Sequence, residues 1–358
     1  MSVSDSPVFV TGASGFVASQ IIRMLLEQGY RVRGSVRDPA PDKTEPLRAV
    51  ATALRADDRL ELVAADLLQP GSFDAPLQGC ELVLHTASPY LLTPKDALKD
   101  LVEPAEQGTL NVLRAAQKAR AKRVVLTSSV AAMTDQTDAK APLDEKSWNK
   151  TSSLRRNPYY YSKVRAERAA WDFVGKEKPG FRLVAVNPFV IIGPSLVPGL
   201  NTSNQIFADL LNGKYPGILA LDWGLVDVRD VALAHLLALT TPKAKGRYLC
   251  AAGVMSMREV VAVLVKRGYG KKFPKLAKTA GRSMDHAFGN LAVRLGSFFQ
   301  PRGTGTYLRT HIGRKLALDN GLIKKELGLT FRSIEQSLVD TVEDLIRWGH
   351  VPAPEGAS

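Results

Sequence analysis

The chain has 358 residues, 45% of them hydrophobic, enough to bury a large core in one elaborated domain or two joined lobes. Its two cysteines, Cys80 and Cys250, exclude a disulfide framework, read as core thiols and suit a reducing cytoplasm; the five scattered histidines offer no metal-ligand spacing. The net charge of +13 is concentrated: between Thr241 and Lys325 there are 18 Lys or Arg against Glu259, Asp285 and Asp319.

Taken in order, Pro7–Thr11 is a short apolar strand that feeds Gly12, and Ala18–Glu27 has helical apolar spacing ending at Gln28-Gly29. The pattern then predicts strands over 30–36 and 60–64, a short helix over 74–79, and a fourth strand over 81–87. A helix over 108–120, a strand over 123–128, a helix over 159–174 and a strand over 181–186 follow. Strands of this length alternating with helices imply a doubly wound parallel α/β sheet, a Rossmann fold. After Asn187-Pro188, proline and glycine break the pattern. We therefore expect a dinucleotide-binding domain over 1–187, re-entered at about 223–250, and a smaller, mostly C-terminal substrate-binding lobe over 188–222 and 251–350. A tail covers 351–358. No apolar run is long enough to span a bilayer, the N-terminus has no secretory leader pattern, and no nucleic-acid motif accompanies the charge. Neither a membrane nor a nucleic acid is expected as a partner, and monomer and homodimer are both open.

Two features carry chemistry. The run Gly12-x-x-Gly15-x-x-Ala18 lies between a strand and a helix, where glycines let the backbone approach a pyrophosphate and the helix N-terminus supplies amide donors. Tyr159 and Lys163 stand at i and i+4, on one helix face, where an ammonium favours the phenolate and brings the phenol toward a useful proton affinity. A dinucleotide site with a proton relay makes a carbonyl reductase or alcohol dehydrogenase. About 20 residues beyond the glycines, where an acidic residue would select NAD, the second strand ends Ser35-Val36-Arg37-Asp38. A guanidinium at Arg37 pairs with a phosphate, Lys43 in the next loop adds to it, and Asp38 would oppose it only if turned inward, so NADP is expected.

Further segments complete an ordered set: Asp66-Leu67, His85-Thr86-Ala87-Ser88-Pro89, Thr127-Ser128-Ser129, Asn187-Pro188 to Gly193-Pro194, and Val226-Asp227-Val228-Arg229-Asp230-Val231. With the glycine run and the Tyr-Lys pair, this set resembles the extended short-chain dehydrogenase/reductases, in the branch of dihydroflavonol 4-reductase and the aldehyde and ketone reductases. The resemblance implies Tyr159 as catalytic acid, Lys163 as its pKa-lowering neighbour and ribose ligand, and Ser129, in preference to Ser128, as the donor to the substrate carbonyl. It also implies a cofactor set of Gly12, Ser14, Gly15, Phe16, Val17, Arg37, Thr127, Pro188, Tyr159 and Lys163. Asp66 and Leu67 would flank the adenine, and Thr86, Ala87 and Ser88 the nicotinamide.

The expected reaction is the reversible NADPH-dependent reduction of a small-molecule aldehyde or ketone bearing a bulky apolar group. Thr134 stands where the dihydroflavonol enzymes carry an asparagine, and Pro158-Tyr159-Tyr160-Tyr161-Ser162-Lys163 departs from the Trp-Tyr-Cys-Tyr-Gly-Lys run of cinnamoyl-CoA reductases. Both departures argue against those substrates. Tyr160 and Tyr161, with Val164 and Arg165 at i+4, read as packing residues, and His235 as a helix residue of the family motif. Alternatives are a 3β-hydroxysteroid dehydrogenase, a nucleotide-sugar epimerase, or a non-catalytic NADP-sensing protein.

Overall fold

The computed structural model describes residues 6–88, 95–136 and 141–352; Pro89 and the tail beyond 352 lie outside the described residues. Seven strands form one parallel sheet in the order β3-β2-β1-β4-β5-β6-β9. They are β1 (Val8–Thr11), β2 (Val32–Val36), β3 (Leu60–Ala64), β4 (Leu82–His85), β5 (Arg123–Thr127), β6 (Arg182–Pro188) and β9 (Gly246–Cys250). The central strands are mostly apolar and buried on both faces except at some of their ends, as a sheet with helices on each side requires. The helices are α1 (Phe16–Glu27), α2 (Pro41–Ala53), α3 (Glu103–Lys118), α4 (Pro158–Glu177) and, later in the chain, α6 (Val228–Thr240). Ile21, Ile22 and Leu25 of α1 pack with Val231 and Ala234 of α6 on one face, and Val112 and Ala116 of α3 with Ala170 and Phe173 of α4 on the other.

One expected helix is absent. Residues 74–79 make successive turns, because Pro76 interrupts any helical ladder and Gly71 and Gly79 take φ of +78° and +76°. Phe73 and Leu77 still bury themselves under the sheet. Helix α3 begins earlier than the periodicity indicates, at Glu103.

A second, three-stranded sheet, β10-β8-β7, comprises β7 (Val190–Ile192), β8 (Asp222–Asp227) and β10 (Gly253–Ser256). Around it α5 (Thr202–Leu211), helix Met257–Lys266 and the last helix, Ile334–Arg347, share a separate core that includes Phe207, Trp223, Val260, Leu338 and Val342. The chain thus returns to the main sheet through α6 and β9, while β8 stays with the smaller sheet. The last helix also fixes the loop after β7: Thr341 Oγ1 accepts from the Gly193 amide at 2.7 Å, and Asp344 accepts from the Ser195 amide at 2.8 Å. Both cysteines are buried and unpaired. Among the described residues no helix is long and apolar enough to cross a membrane, and no cluster of metal-ligating side chains occurs.

Candidate active site

The strand order reverses between β1 and β4, which opens a crevice at their carboxyl ends. Gly12 turns the chain there at φ +65°, and a Cβ on it would lie 2.9 Å from the Ala87 Cβ. Only glycine satisfies both the left-handed backbone and the close approach. Gly15 is the N-cap of α1, which has no side-chain cap and no acidic residue in its first turn. Its first-turn amides and positive dipole end therefore suit an anionic pyrophosphate beside Ser14, Phe16 and Val17.

Thr11 ties the two strand ends together. Its hydroxyl oxygen accepts from the amides of Thr86 at 3.0 Å and Ala87 at 2.9 Å, and the Thr86 hydroxyl donates back to the Thr11 carbonyl. At the tip of β2 Arg37 is exposed, whereas Asp38 accepts from the Ala40 amide at 3.0 Å and so belongs to its own turn. Lys43 lies in the first turn of α2, paired with Asp42 at 3.4 Å, both exposed. Asp66 accepts from the Leu68 amide at 2.8 Å, and Leu67 packs against Gly108 of α3.

Helix α4 starts after Asn157, whose φ of +51° is a left-handed conformation that asparagine tolerates, with Pro158 in the first turn. The ladder Tyr159, Lys163, Glu167, Trp171 runs down one face. Lys163 donates to Ser88 Oγ at 2.8 Å, and its Nζ lies 5.7 Å from the centre of the Tyr159 ring. Burial pushes the Lys163 pKa down to about 8. Burial, with the nearby Lys163 charge, holds His85 at about 3, so it is a neutral partner of Thr11 at 2.9 Å.

The adjacent serines face opposite ways, as strand geometry demands. Ser128 is buried and donates to Glu167 at 2.5 Å, while Ser129 caps the following turn and borders the cavity that Tyr159 also lines. That cavity has a volume of about 360 Å³. Thr134 and Tyr160 complete the near wall; Phe189, Ile206, Trp223, Tyr307 and His311 bring the smaller lobe over it.

Tyr160 is thus a wall residue, not the packing residue its sequence neighbours suggested, and it meets Tyr159 edge-on at 6.0 Å between ring centres. His311 stacks on Tyr307 at 4.2 Å, and burial lowers its pKa to about 4. Tyr161 points elsewhere and accepts from Arg165 at 3.2 Å. Thr127 bonds His235 Nε2 at 2.6 Å, so that histidine, held at about 4 by burial, supports the strand end from α6.

Besides Tyr307 and His311, sequence reasoning missed Glu167. Glu167, its side chain 0% exposed, accepts from Ser128, from Asn187 at 2.8 Å, from Trp171 at 3.1 Å and from Arg247 at 2.6 Å. Asn187 Nδ2 also lies 3.2 Å from the Ser129 carbonyl, so the carboxylate holds the backbone from which Ser129 projects. The available signal was its position four residues after Lys163, on the face turned to the sheet.

A family model described as the NAD dependent epimerase/dehydratase family matches residues 8–251. The chain belongs to this family. Cinnamoyl-CoA reductase 1 of Petunia hybrida is 38% identical over 361 residues, covering 99% of this chain and 96% of that protein. A putative NADPH-dependent methylglyoxal reductase of Candida albicans is 33% identical, with 96% of this chain and 99% of that protein covered. Among solved structures, the yeast methylglyoxal/isovaleraldehyde reductase Gre2 complexed with NADPH superimposes with a TM-score of 0.76 at 29% identity, covering 96% of this chain and 100% of that one. These relatives place this family member in the dihydroflavonol reductase-like branch of the extended short-chain dehydrogenase/reductases.

Proposed function

We propose that this protein reduces an aldehyde or ketone to an alcohol with NADPH. The observation that carries the reading is the meeting of Tyr159 and Ser129 on one cavity wall, with Lys163 on the same helix face, at the sheet's reversal point. NADPH, when bound, supplies the hydride. The crevice fits that group: an uncapped helix N-terminus and Gly12 for the pyrophosphate, and an exposed Arg37 at the strand tip with Asp38 held on its own turn.

Ser129 Oγ and the Tyr159 hydroxyl orient and polarise the substrate carbonyl, stabilising the oxygen as charge develops on it. Tyr159 then gives its proton to that oxygen. Lys163, charged below about pH 8, stabilises the tyrosinate left behind. The cavity's largely aromatic and aliphatic walls, interrupted by Asn201, Thr202, Ser203 and Asp222, favour a substrate with a bulky apolar substituent. No lysine or arginine is among the described residues that line it, which argues against a nucleotide-sugar substrate.

A second reading, reduction of an acyl-CoA thioester to an aldehyde, draws on the name of the Petunia relative. The missing Trp-Tyr-Cys-Tyr-Gly-Lys run weighs against it.

The test is NADPH oxidation against a panel of aryl and alkyl aldehydes, ketones and cinnamoyl-CoA. Tyr159→Phe should lower kcat/KM for the best substrate by roughly 10²–10⁴-fold while NADPH still binds. Full activity in that variant would remove Tyr159 from the mechanism, and turnover of the thioester alone would select the second reading.

A further inference from the structure

We propose that helix Ala287–Gly296 and the turn after it form a docking face for an anionic lipid surface. The helix packs one side inward and leaves apolar side chains exposed on the other. Gly289, Val293 and Ser297 recur every four residues and turn inward, with Val293 packed on the small-lobe core. Phe288, Leu291 and Leu295 lie on the other side at 100° per residue, and Phe298 and Phe299 follow in the 3₁₀ turn Ser297–Phe299; the five are 77%, 53%, 59%, 70% and 91% exposed. Isolated exposed leucines need no explanation, but five large apolar side chains in one stripe do.

The charge of the segment that carries the stripe points to what covers it. From Val260 to Leu318 there are twelve lysines and arginines against a single acidic residue, Asp285. That carboxylate is taken up by Arg258 at 2.5 Å and by Ser283 at 2.6 Å. Cations stand beside the apolar stripe itself: the Arg309 guanidinium lies 4.7 Å over the Phe298 ring, and Arg294 projects from the helix to the Ile312 carbonyl at 3.0 Å.

Exposed phenylalanine and leucine within a strongly cationic segment match an anionic bilayer surface, into which the rings insert while the cations meet headgroups. A second copy would bring this basic region against its own image, and the leucines have no stacking role on a nucleic acid. The absence of a spanning segment, which set the membrane aside in the sequence, does not bear on a face that lies in the surface plane.

The experiment is co-flotation of the full chain with phosphatidylcholine vesicles containing phosphatidylserine, and with phosphatidylcholine alone. Flotation is expected with the anionic vesicles only, weakening as salt screens the attraction. Phe298→Ser and Phe299→Ser should each weaken partitioning on the order of ten-fold, since inserting one aromatic ring is worth at least one decade. Arg294→Gln should weaken it less, with the same sign. Because Phe298→Ser also removes the Arg309 contact, Phe288→Ser with Leu295→Ser provides an independent loss, and far-UV circular dichroism checks that each variant is folded.

Three results would overturn the proposal. One is no flotation with phosphatidylserine. A second is equal flotation of the phenylalanine variants, and the third is a homodimer by light scattering that those variants split.

Discussion

The buried pair of Glu167 and Arg247 offers the most direct test of how the site is held. Their side chains are 0% and 7% exposed, and they join α4 to the edge strand β9 at 2.6 Å. Glu167→Leu leaves the Arg247 charge with the carbonyls of Glu145 at 3.1 Å and Ser147 at 2.5 Å and the face of Trp148 at 3.9 Å. It also strips Ser128 and Asn187 of their acceptor. Breaking a buried pair of this kind costs about 3–5 kcal/mol.

Arg247→Leu should cost a similar amount, and the double variant distinctly less than the sum, because no unpaired charge remains inside. Urea unfolding followed by tryptophan fluorescence suits the measurement, since Trp171 bonds Glu167 and Trp148 stacks on Arg247. Losses below about 1 kcal/mol for each single variant, or strict additivity, would refute the reasoning that an uncompensated charge sets the cost. The Glu167 variant should also lose kcat more than KM, through the backbone of Ser129.

Four further outcomes are expected. Arg37→Ala should raise the KM for NADPH by roughly 10–100-fold, the worth of charge-assisted hydrogen bonds, and hardly change that for NADH; equal effects would remove the argument for the phosphate. In a pH profile, kcat/KM should fall above about pH 8, as the Lys163 ammonium is lost. The same shift means that the unfolded chain binds this proton more readily between about 8 and 10.5, so folding stability rises with pH across that window. His85 and His235, held at about 3 and 4, stay neutral in the fold but protonate on unfolding below 6.5. Stability should therefore fall with acid, approaching ~1.4 kcal/mol per pH unit for each, and His235→Gln should flatten the slope measured by urea midpoints.

The order of strands through β6 was legible because apolar runs alternate with helical spacing and turn residues. Helix α2 was not: it covers Pro41–Ala53, where Lys43 was expected in a loop, and its apolar face is weak, with only Thr44, Leu47 and Ala51 buried. Boundaries were set by neighbours rather than by pattern. The fourth strand was expected to reach Ala87, yet it ends at His85, since Thr11 takes the next two amides away from the ladder. Residues 74–79 looked helical by apolar spacing, and Pro76 was the ignored signal. At the site, Tyr159 and Lys163 could be paired because a helix fixes their separation. Tyr307 and His311 could not be foreseen, as they reach the cavity from a helix about 150 residues later whose own sequence carries no motif. The Glu167–Arg247 contact, 80 residues apart, is likewise a product of strand order, which places β9 beside β6.

Holding the Gly193 and Ser195 amides from Thr341 and Asp344 ties the pocket to a distant part of the chain. A change that unwinds helix Ile334–Arg347 would spare the nucleotide crevice yet unpin the loop behind the cavity's Phe189–Ile191 wall. The shape of the substrate pocket therefore depends on a helix that lies about 150 residues further along the chain than the loop it pins.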